Sequence, residues 1–408
     1  NLEINIENVS NKKYLKLYRI ESNLVDYNAE NLENTIDFKY FNDNDNFYLA
    51  SKVSSYRSLK DTYNDKYENI FPEITLSKNL LSEKYGYGNL NSSFKILNYD
   101  TNKFEKYLTN DLDWKYNLRK NSWLNSSILG LVKNVNYDYQ NINSFKEETT
   151  NELFGAIGYL TSVDMQKSNV KSKSFLTPKM LFRYAPNHMK NEKNNEFVLR
   201  GKNIFSLDRL QSPVNFESGA NLTLGIDYQK NIENNQINFS IGQIINEKKE
   251  NIKMPNSSSL NKRFSDMIGS FNFKNQNFKI DYNYTVDRNY NEINYNEINA
   301  YYDVGKVKFN LNYLDEDKNT GENEYIKSAF EIKRGENGLL KLSNKRNLVT
   351  NSSEFYDLSY EYINDCLRAG IVYRREFYND SELEAENSIL FTLTLSDLTS
   401  INTPSFSK

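Results

Sequence analysis

From Leu222 to the C-terminus the chain alternates, placing a large apolar or aromatic side chain at every second position and a polar one between. In the stretch from Phe278 to Asp287, Phe278, Ile280, Tyr282, Tyr284 and Val286 form one row, while Lys279, Asp281, Asn283, Thr285 and Asp287 form the other. Successive side chains of a strand point to opposite faces, so a period of two predicts β-strands with one apolar and one wet side. A long series of such strands removes its exposed edges by curling into a barrel. The expected class is all-β.

Composition narrows the setting. No stretch approaches the roughly 18 uninterrupted apolar residues of a membrane helix, with 38% apolar residues and a mean hydropathy of -0.76. Barrel strands hide only alternate residues in lipid, so their hydropathy signal is weak and a membrane stays open. The 31 Tyr and 24 Phe residues suit a lipid–water boundary, where a ring is buried and a hydroxyl stays wet, although compositional drift also raises Tyr. A net charge of -3 from 51 basic and 54 acidic residues carries no polybasic footprint, so nucleic acid is not an expected partner.

Strands read from the alternation recur about every 16 residues from Leu222 to Leu395, which suits membrane strands of roughly 9 to 11 residues plus turns. Their connections form two interleaved classes. Short ones fall near 233–235, 275–277, 303–306, 335–338 and 363–366; longer ones fall near 246–265, 287–292, 314–324, 349–354 and 378–387. Outer-membrane barrels turn tightly on the periplasmic side and loosely outside, so this rule sets Cys366 at the periplasmic end. Strand-like runs in the first 200 residues, such as 14–20, 35–40, 73–76, 92–97, 112–118, 126–132 and 152–159, are less regular. Extrapolation gives about 20 strands in a transmembrane antiparallel β-barrel, incomplete or near-complete, with 1–408 as one domain. Asn1 opens the chain without a basic or apolar leader, which reads as a mature product or a fragment.

Catalytic constellations are not evident. His188 is the only histidine and Cys366 the only cysteine, which removes zinc-type clusters and Cys–His nucleophiles. His188 lies in the polar stretch from Pro186 to Asn195 and reads as a solvated loop residue. Carboxylate runs such as Leu314 to Asp317 read as acidic loop charge, with calcium ligation or a glycosidase pair as lesser alternatives. No enzyme and no cofactor are expected. Arg368 and Arg374 occupy the face opposite Leu367, Ala369, Ile371 and Tyr373, the polar lumen side of a barrel strand, where salt bridging is the expected role.

The segment YEYINDCLRAGIVYRREFY, Tyr360 to Tyr378, resembles the C-terminal end of the LptD family of outer-membrane lipopolysaccharide-assembly proteins. FSLDRLQSPVNFESGANLTLGIDY, Phe205 to Tyr228, is similar to the family's strand-entry motif, with Arg209, Glu217, Gly219 and Gly225 in place. SIGQ at Ser240 to Gln243, SSLNKRFSDMIG at Ser258 to Gly269 and the run from Tyr284 to Tyr302 follow in order. YENIFPEI at Tyr67 to Ile74 and PKMLFRYAP at Pro178 to Pro186 also look similar, so the resemblance covers most of the chain.

The resemblance implies a Gram-negative outer-membrane barrel that takes lipopolysaccharide from a periplasmic Lpt bridge and releases it into the outer leaflet. It further implies an LptE-type lipoprotein plug and lateral opening between the first and last strands. Ser388 to Leu395 would be the last strand, with Ile389, Phe391, Leu393 and Leu395 toward lipid and Thr392 and Thr394 inward. The family's N-terminal periplasmic domain has no room here, and the resemblance leaves open whether the first barrel strands are present. In some members cysteines of barrel and periplasmic domain are paired, which implies an interdomain disulfide from Cys366. Competing readings are a general porin or receptor barrel and a soluble β-rich surface or carbohydrate-binding protein.

Overall fold

The structure is a computed structural model that describes residues 1–15, 31–59, 67–82, 84–99, 102–120, 123–142, 149–186, 188–193, 197, 199–210, 212–316, 323–376, 387–395, 399–402 and 406–407. Among them, 24 strands make one sheet. The first twelve are β1 (Leu2–Asn5), β2 (Asn31–Asn42), β3 (Phe47–Ser58), β4 (Tyr67–Ser82), β5 (Gly86–Tyr99), β6 (Phe104–Lys120), β7 (Leu124–Gln140), β8 (Thr150–Val163), β9 (Met165–Asn169), β10 (Ser172–Ala185), β11 (Gly219–Ile232) and β12 (Asn235–Glu250). The rest are β13 (Lys262–Phe264), β14 (Met267–Lys274), β15 (Phe278–Val286), β16 (Ile293–Asp303), β17 (Val307–Glu316), β18 (Asn323–Arg334), β19 (Gly338–Asn347), β20 (Ser352–Ile363), β21 (Leu367–Glu376), β22 (Asn387–Leu395), β23 (Thr399–Asn402) and β24 (Phe406–Ser407).

The ladders follow chain order as an antiparallel meander, with β9 carrying β8 onward along β10 and β13 a short side branch on β12. Connections after β11, β14, β16, β18 and β20 are two or three residues long, and those after β10 and β12 are far longer. Short and long turns therefore fall at opposite ends of the wall. Left-handed backbone at Gly305 and Gly335 closes two of the short turns, a conformation glycine adopts without steric cost. Among the described residues, no ladder joins β1 to the β22–β24 edge.

Register fixes the two faces. Phe182 stands opposite Leu222, Tyr360 opposite Ile371 and Ile371 opposite Phe391; Phe182, Leu224, Ile226, Leu342, Leu358, Tyr360, Ile371 and Phe391 are exposed. This apolar row belongs against lipid, because a one-residue slip would turn every one of these side chains inward. The other face carries Arg183, Asn221, Thr223, Lys341, Glu361 and Arg374.

Several expectations are corrected or extended. The described residues hold 24 strands, in line with the expected number of about 20; β3 and β10, which escape the alternation test, and the two short strands after β22 are among those added. Ser388 to Leu395 is not the final strand, since the chain reverses and pairs β23 and β24 along its outer edge. The run 14–20 lies mostly outside the described residues, as do Asp317, Tyr378 and the side chains of Thr394 and Leu395.

Candidate functional site

The described residues between β10 and β11 do not loop away into solvent. They fold back against the inner face of β7, β8, β10 and β11, and the chain between β12 and β14 joins them. Two apolar clusters seat this layer. Leu207, Val214 and Phe216 pack on Leu131, Val135, Tyr137, Phe154 and Ala156 of the wall; Met189, Leu199 and Ile204 pack on Ile244, Met254, Leu260 and Ile268. The two inner segments are also sewn together, Lys253 Nζ donating to the Met189 carbonyl at 2.8 Å and Glu192 N–H to the Lys253 carbonyl at 2.8 Å.

Irregular backbone at membrane depth survives only where protein or a water-filled cavity satisfies its polar groups. Wall side chains do that here. Arg183 is fully buried and donates through Nε to the Leu207 carbonyl at 2.7 Å and through Nη2 to the Glu217 carbonyl at 2.6 Å. Arg209 grips Glu217 with two parallel hydrogen bonds, the Nε to Oε2 one at 2.7 Å, and Asn221 donates to Glu217 Oε1 at 3.3 Å. Lys133, 3% exposed, donates to Asp208 at 2.6 Å and to the Ser212 carbonyl at 2.8 Å. Phe216 lies beneath both cations, with the Arg183 guanidinium 5.3 Å from its ring centre.

Burial alone would push the Glu217 carboxyl up, but the adjacent Arg209 and Arg183 guanidiniums hold it below the usual carboxylate range. A depressed folded-state pKa contributes stability that is present above the unfolded value and is lost as pH falls through the folded one. The inner segment should therefore stay seated at neutral pH and loosen only in acid below the ordinary carboxylate range. Limited proteolysis across pH would check this, and release between pH 7 and 5 would contradict it.

Gly225 provides the close approach. A Cβ there would meet Phe205 Cζ at 2.7 Å and the Ile241 carbonyl at 2.9 Å. Gly225→Val should unseat residues 199–210 at a cost of about 1–3 kcal/mol. Native-state hydrogen exchange confined to that segment would report it.

Arg374 pairs with Asp357, its direct register partner, and stacks over Phe355 at 5.4 Å. Arg368 donates to Glu361 at 2.9 Å. Thr392 stands opposite Gly370 on the same face as these arginines. Ile389, Phe391 and Leu393 are exposed on the other face, and Cys366 is an exposed free thiol in the short turn after β20. His188 is exposed, with Nε2 3.3 Å from Glu152, while its neighbour Met189 is buried, so the described part of this polar stretch is partly seated rather than wholly solvated. The motif from Phe205 to Tyr228 holds Asp208, Arg209, Glu217 and Asn221 and the one from Pro178 to Pro186 holds Arg183, but the sequence did not single out Arg183, Asn221, Lys133 and Asp208 as their partners. Their signal was apolar residues on both faces of β10, Leu181 and Ala185 flanking Arg183 inside and Phe182 and Tyr184 outside, which marks a strand covered twice.

An antiparallel wall with a lipid-type outer face, a polar inner face and a portion of its own chain packed inside defines an outer-membrane barrel protein. The chain belongs to the LptD family, LPS transport system D, whose family model matches residues 1–339. That family is a transport family of the Gram-negative outer membrane, with lipopolysaccharide as its substrate. No curated protein matches the chain. Among solved structures, it is similar to the siderophore receptor PirA from Acinetobacter baumannii at 7% identity and a TM-score of 0.43, over 92% of this chain and 70% of that one. It is also similar to the open form of the ferric-catecholate import receptor Fiu from E. coli K12 at 11% identity and a TM-score of 0.39, over 89% and 72%.

Proposed function

We propose that this chain inserts lipopolysaccharide into the outer leaflet through a seam that opens laterally between β1 and the β22–β24 edge. The family match over residues 1–339 carries the reading. A lipid with several acyl chains and a charged sugar head needs a polar route and an exit into the membrane. An edge held by few hydrogen bonds supplies the exit at low cost: β23 pairs with β22 over four positions and β24 over two. Ile389, Phe391 and Leu393 are the lipid side of this seam, and Thr392 its inner side.

The inner face of β15 to β19 lies beyond the folded-in segment, with a cavity of about 730 Å³ lined by Lys279, Asp281, Tyr301, Lys327 and Lys345. An LptE-type lipoprotein plug sits elsewhere in the lumen, Arg368 and Arg374 are lumen-lining cations, and a periplasmic Lpt bridge delivers the substrate from below. A photo-crosslinking residue at Lys327 should capture lipopolysaccharide in living cells. Failure to capture it from any inner position would sink the proposal. Cys366 forms a disulfide with a cysteine of a periplasmic domain; thiol titration of the oxidised full-length protein should find it blocked, and a reactive thiol there would refute the bridge.

A further inference from the structure

The folded-in segment roofs a cavity of about 440 Å³ over the inner face of β10 to β16. The wall here is built from small inner residues: Gly225 and Gly242, paired in register, let Phe205 and Ile204 of the roof seat closely, and Ser240 and Ser270, opposite each other one pleat further on, leave room beneath it. The polar groups along this floor are arranged rather than random. Glu297 Oε2 accepts from Asn283 at 3.1 Å and from the Tyr295 hydroxyl at 3.0 Å, which fixes the carboxylate while leaving Oε1 open. Asp227 is paired with Lys179, whose ammonium lies 5.8 Å from the Phe205 ring centre. Ser240 and Ser270 have no side-chain partner among the described residues.

The roof carries the opposite charge. Arg200 stacks over Tyr295 at 6.0 Å, makes no ion pair among the described residues and lines the cavity together with Lys202. Fixed carboxylates, an amide and free hydroxyls match the hydroxyl groups of a sugar ring. An aromatic wall matches its apolar face, and an unpaired guanidinium matches a phosphate or carboxylate through a planar fork. The volume falls within the range of small-ligand pockets. We infer that this cavity is a binding subsite for an anionic sugar, its acidic group at Arg200 and its hydroxyls on Asp227, Ser240, Ser270 and Glu297. The inference rests on the transport reading for the orientation of the inner face, and deepens it by naming the part of a substrate that halts there.

The full-length protein in detergent is titrated calorimetrically with glucose 6-phosphate, glucose, inorganic phosphate and deacylated lipopolysaccharide, with thermal unfolding as a check on each variant's fold. Glucose 6-phosphate should bind saturably, and glucose, inorganic phosphate and the Arg200→Gln variant should each show a loss of about tenfold or more. Ser240→Phe, which fills the floor, should abolish binding. Tighter binding of the deacylated glycolipid supports the site with a lipid headgroup as its source, and tighter binding of the free sugar phosphate supports it with a soluble source. Unchanged affinity in both variants, inorganic phosphate binding as tightly as the sugar phosphate, or no binding by either sugar ligand would overturn the subsite. The transport reading would be untouched, since it stands on the lumen cross-link.

Discussion

Arg209→Ala should release the inner segment from the wall. The substitution leaves Glu217, 1% exposed, without its bidentate partner in a place that water does not reach. Arg183 compensates only in part, because its Nε and Nη2 are committed to the Leu207 and Glu217 carbonyls and its remaining Nη1 stands 3.8 Å from the carboxylate. Removing one member of a buried pair costs about 3–5 kcal/mol, most of it from the charge left behind. Amide exchange over residues 199–210 should accelerate by roughly a hundredfold or more in the reconstituted protein. Replacing both partners, Arg209→Met with Glu217→Leu, should restore part of the protection, since the stranded carboxylate is gone although the buried Arg183 then loses its acidic neighbour. Unchanged exchange in the single variant would show that the apolar clusters alone hold the segment.

A second large effect is expected on the opposite face. Ile226 lies midway along β11 with its side chain outward and 42% exposed, in the same row as Leu224. In a bilayer that surface meets acyl chains, and Ile226→Arg should destabilise the protein by about 2–4 kcal/mol, the cost of a cationic side chain near the midplane. Gln229→Arg, on the inner face of the same strand, should change stability by no more than about 0.5 kcal/mol. Urea unfolding in lipid vesicles distinguishes the two. Equal effects would mean that the outer face is not in lipid.

The C-terminal half was legible because register runs unbroken over long stretches of it, so hydrophobic period and pleat coincide from β17 to β19, and the shifts at Thr285/Val286 and Lys345/Arg346 fall near strand ends. Farther back the same physics is interrupted. Register shifts between Lys52 and Ser54, Tyr67 and Asn69, Ile70 and Glu73, and Asn117 and Arg119 each add a residue and invert the phase of the alternation. β3, with Ser51, Ser54, Ser55 and Ser58 among its apolar residues, carries little amphipathic signal at all. The inner segment was the least legible part. Its backbone is irregular, and its partners are distant in sequence, Lys133 reaching Asp208 across 75 residues. Arg209 and Glu217 stood out as a motif, yet only the fold shows that they grip each other, and that Arg183 and Lys133 hold the backbone around them.

Depletion of the protein in the organism that makes it, followed by quantification of surface-exposed lipopolysaccharide, tests the central claim most directly. The account predicts that surface lipopolysaccharide falls as the protein is lost while the lipid accumulates inside the envelope, and that re-expression restores display. Normal surface display after depletion would contradict it.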